Sequence, residues 1–259
     1  MNREEKQVWL IRALQREMPE TARYMIPRDT DNRWRLLRGL FNVRPPMPAS
    51  QEFLKVQGEL LQEMTAEKGI TDWKTLRPCD GDTDLFIWQG DITTLRIDAI
   101  VNAANSGLLG CFRPNHSCID NIIHTMAGVE LRLKCAEIME NQGHEEPTGQ
   151  AKLTPAYNLP CTSILHTVGP IVDGPLTREH CNLLASCYRS CLRLAAEHGC
   201  QSIAFCCIST GVFGFPQREA AQIAVQTVRD WKREENQGLK VVFNVFKDED
   251  LEIYRDLLQ

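Results

Sequence analysis

Five short runs in this chain, Leu85–Gln89, Ala99–Asn102, Ser163–Val168, Ser202–Cys207 and Val241–Phe246, are mostly unbroken apolar segments. A strand wetted on one face alternates apolar and polar residues, whereas a continuous apolar run marks a strand covered on both. Between the runs lie helical patterns near residues 119–141, 178–198, 217–234 and 248–258. Strands buried on both faces and alternating with helices predict an α/β domain, with a central sheet layered between helices. Upstream the rhythm differs. Val8, Ile11, Leu14 and Met18 recur at helical spacing, as do Phe53, Leu54, Val56, Leu60, Leu61 and Met64 after a Ser50 cap. The prolines of Arg44-Pro45-Pro46-Met47-Pro48 separate the two stretches, and Gly69 ends the second. We therefore expect a helical extension over residues 1–72 and an α/β domain over 73–259.

Composition narrows the function classes. With 43% hydrophobic and 24% charged residues in 259, the chain can bury a sizeable core. Nothing approaches the roughly 18 consecutive apolar residues of a membrane span, and the first 20 residues carry charges throughout. Neither membrane insertion nor export is expected, and a cytoplasmic location follows as an expectation. The net charge of −5, without a basic stripe, argues against nucleic acid as a partner. Such a chain can still hold a diphosphate through backbone N–H groups at a helix start or in a glycine-rich turn. The eleven cysteines are odd in number and irregularly spaced, so we read them as reduced thiols. Most pack as small hydrophobes, Cys187 and Cys191 beside Leu184 and Leu194, and Cys206 and Cys207 in an apolar run. Trp9, Trp34 and Trp73 are read as packing residues.

Ligands of open α/β sheets collect at the carboxyl ends of the strands. The loops there read Gly90-Asp91-Ile92-Thr93, Asn102-Ala103-Ala104-Asn105-Ser106 and Ser209-Thr210-Gly211-Val212-Phe213-Gly214-Phe215-Pro216. Together with Leu108-Leu109-Gly110, Asp120-x-x-Ile123-His124, the 148–154 segment Thr-Gly-Gln-Ala-Lys-Leu-Thr and the 166–170 segment His-Thr-Val-Gly-Pro, they resemble the macrodomain family, in its order and over nearly all of residues 84–259. Residues 1–72 fall outside that likeness. The resemblance implies a three-layer αβα sandwich with a mixed central sheet, and an ADP-ribose pocket. It implies that Asp91 accepts from the adenine amino group, with the Ile92 N–H beside the base edge and Phe246 stacked on the ring. The turn from Ser209 through Thr210, Gly211, Val212, Phe213 and Gly214 would wrap the diphosphate, and Phe215 would border the distal ribose. Asn105 would bond that ribose beside Cys118, Ile119 and Asp120. Each has a plainer reading: Asp91 as a helix cap, Asn102 and Asn105 as turn residues, Phe246 as core. His124 and His166 are assigned no catalytic role.

One departure carries chemistry. Hydrolytic macrodomains commonly pass from Leu-Leu-Gly through a glycine string to the aspartate; here the intervening residues are Cys111-Phe112-Arg113-Pro114-Asn115-His116-Ser117-Cys118-Ile119. Cys111, His116 and Cys118 are compact enough to surround one zinc ion, with Pro114 bending the loop between them. Three ligands leave a position open, as catalytic sites do; the plainer readings are a structural zinc closed by a distant residue such as His144, or three unligated polar residues in a loop. The chain resembles a zinc-containing branch of macrodomain protein-ADP-ribose hydrolases with the same three residues and a helical extension. That likeness implies hydrolysis of mono-ADP-ribose from protein, with Asp120 as general base or water-orienting carboxylate and Asn105 orienting the ribose. It also implies, as substrate, a lipoylated carrier protein modified by a sirtuin. The rival functions are a non-enzymatic ADP-ribose reader, an esterase of O-acetyl-ADP-ribose (a deacetylase), and an interaction protein working through its amino-terminal helices.

Overall fold

The structure, a computed structural model, describes residues 1–235 and 238–258. Three helices come first: α1 (Arg3–Glu17), α2 (Thr30–Val43) and α3 (Gln51–Lys68). Their starts are set by side-chain caps, Asn2 with Glu5 in a reciprocal box, Asp29 on Asn32 N–H and Ser50 on Phe53 N–H. Gly69, at φ 88°, ends α3 as expected. Most of the expected apolar positions face inward: Ile11, Leu14, Met18, Phe53, Val56, Leu60, Leu61 and Met64 are buried, while Val8 and Leu54 are half-buried. The buried ones form one continuous cluster with the interior of the sheet.

The seven-stranded sheet has the order β2-β3-β9-β8-β5-β7-β6, from β2 (Pro78–Cys79), β3 (Asp82–Gln89), β5 (Ala99–Ala104), β6 (Ala151–Pro155), β7 (Ser163–Val168), β8 (Ser202–Phe205) and β9 (Lys240–Val245). Neighbours from β3 to β7 are parallel, and the two edge strands pair antiparallel, which makes the sheet mixed. A parallel pair, β1 (Thr71–Asp72) with β4 (Leu95–Arg96), ties the exit of α3 to the 3₁₀ turn Ile92–Thr94. The remaining helices are α4 (Ile119–Ala127), α5 (Val129–Gln142), α6 (Arg178–Glu197), α7 (Gln217–Glu235) and α8 (Asp248–Leu258). The continuous helical pattern predicted near 119–141 is two helices, because Gly128 at φ 100° breaks it. Strand β6 was not among the expected strands; Lys152 and Pro155 make it read as loop, which an edge strand tolerates. Among the described residues no helix is long and apolar enough to cross a membrane.

Candidate functional site: a carboxylate beside a loop of two thiols and an imidazole

The loops after the parallel strands meet at the amino terminus of α4. Cys118 is its N-cap, its Sγ accepting from the Asn121 N–H at 3.4 Å. Asp120, in the first turn where helix dipoles favour a negative charge, is buried. Both its oxygens are occupied, Oδ1 by Asn102 Nδ2 at 2.8 Å and Oδ2 by Asn105 Nδ2 at 3.1 Å. Burial nonetheless raises its pKa to about 6, the two amides and Arg132 opposing the rise. The second proton of the Asn102 amide reaches His166 Nδ1 at 3.1 Å, so that nitrogen is the acceptor and His166 Nε2 donates to Thr154 Oγ1 at 2.9 Å. His166 is thereby a neutral imidazole, its pKa pushed to about 3 by burial.

The metal-ligand candidates come together as the sequence suggests. One ligand atom from each of Cys111, His116 and Cys118 lies within 4.8 Å of the others, and Cys111 Sγ is 3.6 Å from His116 Nδ1. The bend between them is a tight turn closed by His116 N–H on the Arg113 carbonyl, with Pro114 second and Asn115 third at φ 57°, the left-handed position asparagine tolerates. His144 is exposed and lies outside this group. A second cluster, His124, Cys135 and His166, is fully buried; His166 has both nitrogens engaged there, so it reads as polar packing. Burial pushes the Cys118 thiol up to about 11, with Cys111 and Asp120 adding to the rise. A cation among these groups reverses that preference, since a coordinating thiol is deprotonated.

The remaining expected residues line the same end of the sheet. Asp91 caps the turn Ile92–Thr94 through Thr93 N–H at 3.0 Å, and its other oxygen holds Lys68 Nζ at 2.8 Å. The cap reading of Asp91 therefore holds in this structure, and the carboxylate sits below its ordinary pKa because Lys68 and Thr93 outweigh burial. Phe246, just past β9, is 75% exposed, which sets aside its reading as core. Ser209, at φ 66°, is buried with its hydroxyl unpartnered, and Gly169 lets it in, since a Cβ there would lie 2.0 Å from Ser209 Oγ. Gly214, at φ 70°, turns the loop back. Val212 is exposed, whereas the Phe215 ring is 2% exposed and packs in the core.

The profile of the Macro domain family matches residues 101–224. A relative from Treponema medium called a protein-ADP-ribose hydrolase is 56% identical over 260 residues, 100% of both chains. The chain belongs to the macrodomain family. A second relative of that name, from Staphylococcus aureus (strain MSSA476), is 53% identical over 96% of this chain and 93% of its own length. The Trypanosoma brucei macrodomain solved in complex with ADP-ribose superposes with a TM-score of 0.65 at 30% identity, covering 90% of this chain and 97% of that one.

Several residues of this macrodomain's site escaped the sequence reading. Asn121 donates to the carbonyls of Cys111 at 3.2 Å and Arg113 at 3.0 Å. Arg132, whose pKa burial lowers to about 10, donates to the Leu109 carbonyl at 2.7 Å and lies over the Phe112 ring at 4.2 Å. Asn121 was visible inside the Asp120–His124 motif; Arg132 left no local signal. Asn105, expected to orient the ribose, directs its amide to Asp120 and the Gly110 carbonyl, and so positions the carboxylate.

Proposed function

We propose that this macrodomain hydrolyses mono-ADP-ribose from modified protein side chains, with a zinc ion held by Cys111, His116 and Cys118. The observation that carries the reading is the meeting of those three ligands with Asp120 at the start of α4. The donor set fits zinc: two thiolates and an imidazole are its common environment, and three protein ligands leave one position for water or substrate. Held by Cys111, His116 and Cys118, the ion would supply Lewis acidity at the open position.

The chain's own residues do the rest. The reaction is attack of water on the anomeric carbon of the distal ribose, breaking the bond to the protein side chain. Asp120 takes the proton of that water, and Asn102 and Asn105 fix the direction of its lone pairs. The diphosphate is held by the backbone amides of the turn Thr210–Gly214. Adenine stacks on the exposed Phe246 ring and takes the Asp91 oxygen that Lys68 now holds. Binding energy at these remote groups fixes the reacting bond against Asp120. The relatives called protein-ADP-ribose hydrolases support the reaction class.

Metal analysis of the purified protein is expected to find one zinc per chain. A mono-ADP-ribosylated protein is expected to release free ADP-ribose, and to stop doing so after a strong chelator or in Cys118→Ala. Full turnover without metal would remove zinc from the mechanism, and binding without release would make the protein a reader. O-Acetyl-ADP-ribose, and a lipoylated carrier protein modified by a sirtuin, are parallel arms that set the substrate class.

A further inference from the structure

The ligand loop is held by the amino-terminal helices as well as by the macrodomain. Arg38 of α2 donates through one guanidinium nitrogen to the His116 carbonyl at 2.7 Å and to Asn121 Oδ1 at 2.9 Å. Asn121 is buried and is the hub of the loop: its amide holds the Cys111 and Arg113 carbonyls and its N–H meets Cys118 Sγ. One turn on, Asn42 Oδ1 accepts the Asn115 N–H at 2.9 Å, while its amide donates to Thr125 of α4 at 2.9 Å. Between them sits Gly39, where a Cβ would lie 3.2 Å from Asn115 Nδ2 and 3.7 Å from Pro114 Cβ. A glycine inside a helix costs about 1 kcal/mol relative to alanine. Here the bare backbone lets the loop lie against α2.

We infer that α2 is a working part of the metal site, with Arg38 the residue that positions His116 and, through the Asn121 side chain, Cys111. The inference rests on the metal reading above for its chemistry and on the hydrogen bonds alone for its geometry. Partners behind a metal ligand typically set about 10–100-fold of affinity when removed. Arg38 is one bond behind His116 and two behind Cys111, and it supplies a charged donor to a carbonyl and an amide.

The test compares wild type, Arg38→Ala, Arg38→Lys and Arg35→Ala, the last removing an equal charge from the exposed side of the same helix. Zinc dissociation constants come from competition with a chromophoric chelator. Hydrogen exchange of amides 111–121 is followed on chelator-treated protein, and thermal melts report global stability. Arg38→Ala is expected to weaken zinc binding about 10–100-fold and to speed exchange in the loop. Arg38→Lys should recover part of both, and Arg35→Ala should match wild type. Wild-type affinity and exchange in Arg38→Ala would overturn the inference, as would equal losses in Arg35→Ala. If wild type takes up no zinc, the metal reading fails and the exchange arm decides the positioning role alone.

Discussion

Acid is expected to destabilise this protein through His166, and the His166→Gln variant isolates the effect. The imidazole is fully buried, and its Nδ1 faces the donating amide of Asn102, so a proton there would set donor against donor. Its folded pKa is about 3 against an ordinary 6.5. In the unfolded chain His166 takes up a proton below about pH 6.5, while in the folded chain it stays neutral until about 3. The unfolded state then binds more protons, and stability falls as pH falls through that window, by ~1.4 kcal/mol per pH unit. Between pH 7 and pH 5 the loss assignable to His166 is about 2 kcal/mol. His124, depressed by burial too, acts in the same direction. Asp120 acts against them: with its pKa raised to about 6 it holds a proton that the unfolded chain has released, so stability is regained as pH falls from 6 towards 3.8. Wild type alone cannot separate the three. The glutamine amide introduced by His166→Gln would accept from Asn102 and donate to Thr154 much as imidazole does, yet cannot titrate. Urea unfolding of both proteins at pH 7 and pH 5 should give curves whose difference changes by about 2 kcal/mol. Parallel pH dependences would show that the native imidazole charges freely, and the donor assignment along the Asn102–His166–Thr154 line would be wrong.

Phe246→Ala should leave stability within about 0.5 kcal/mol, because the ring is exposed. The same change should cost about 1–3 kcal/mol of ADP-ribose affinity by calorimetry, the usual worth of stacking a base on an aromatic ring; unchanged affinity would move the adenine elsewhere. Asp120→Ala should lower the hydrolytic kcat about 10²–10⁴-fold while ADP-ribose still binds, and wild-type turnover would end its role as base.

The parts of the fold legible in the sequence were those with short-range causes. Runs such as Ser163–Val168 declared strands buried on both faces, and the strand bounds matched residue for residue there. Ser50 and Gly69 marked the ends of α3 because capping and left-handed backbone are local preferences. Three ligands within eight residues declared a site because a short loop cannot take them far apart. The support of that loop was hidden. Arg38 and Asn121 are 83 residues apart, and neither breaks the pattern of its helix. Only Gly39, inside an otherwise sound helix, hinted that another chain segment comes close. Phe215 misled in the other direction, since a motif position conveys order along the loop but not which way a ring turns.

The polar line behind Asp120 explains why the mostly apolar strands β5 and β7 carry Asn102 and His166. In the parallel register of β5 and β7, Asn102 stands opposite His166, and Thr154 of the edge strand supplies the outer partner. Each is buried and each bonds the next, so the line runs from the sheet edge to the carboxylate of α4. A slip of one residue in β5 would turn Asn102 to the other face and leave His166 and Asp120 unpaired in the interior. Register is therefore enforced by the same residues that hold the Asp120 carboxylate. The ionised carboxylate is still disfavoured, since a rise from 3.8 to about 6 corresponds to ~3 kcal/mol against the charge. Cys111 is tied to α4 through Asn121 and Leu109 to α5 through Arg132, so the loop that carries Cys111, His116 and Cys118 is fixed to the same helix pair whose first turn holds Asp120.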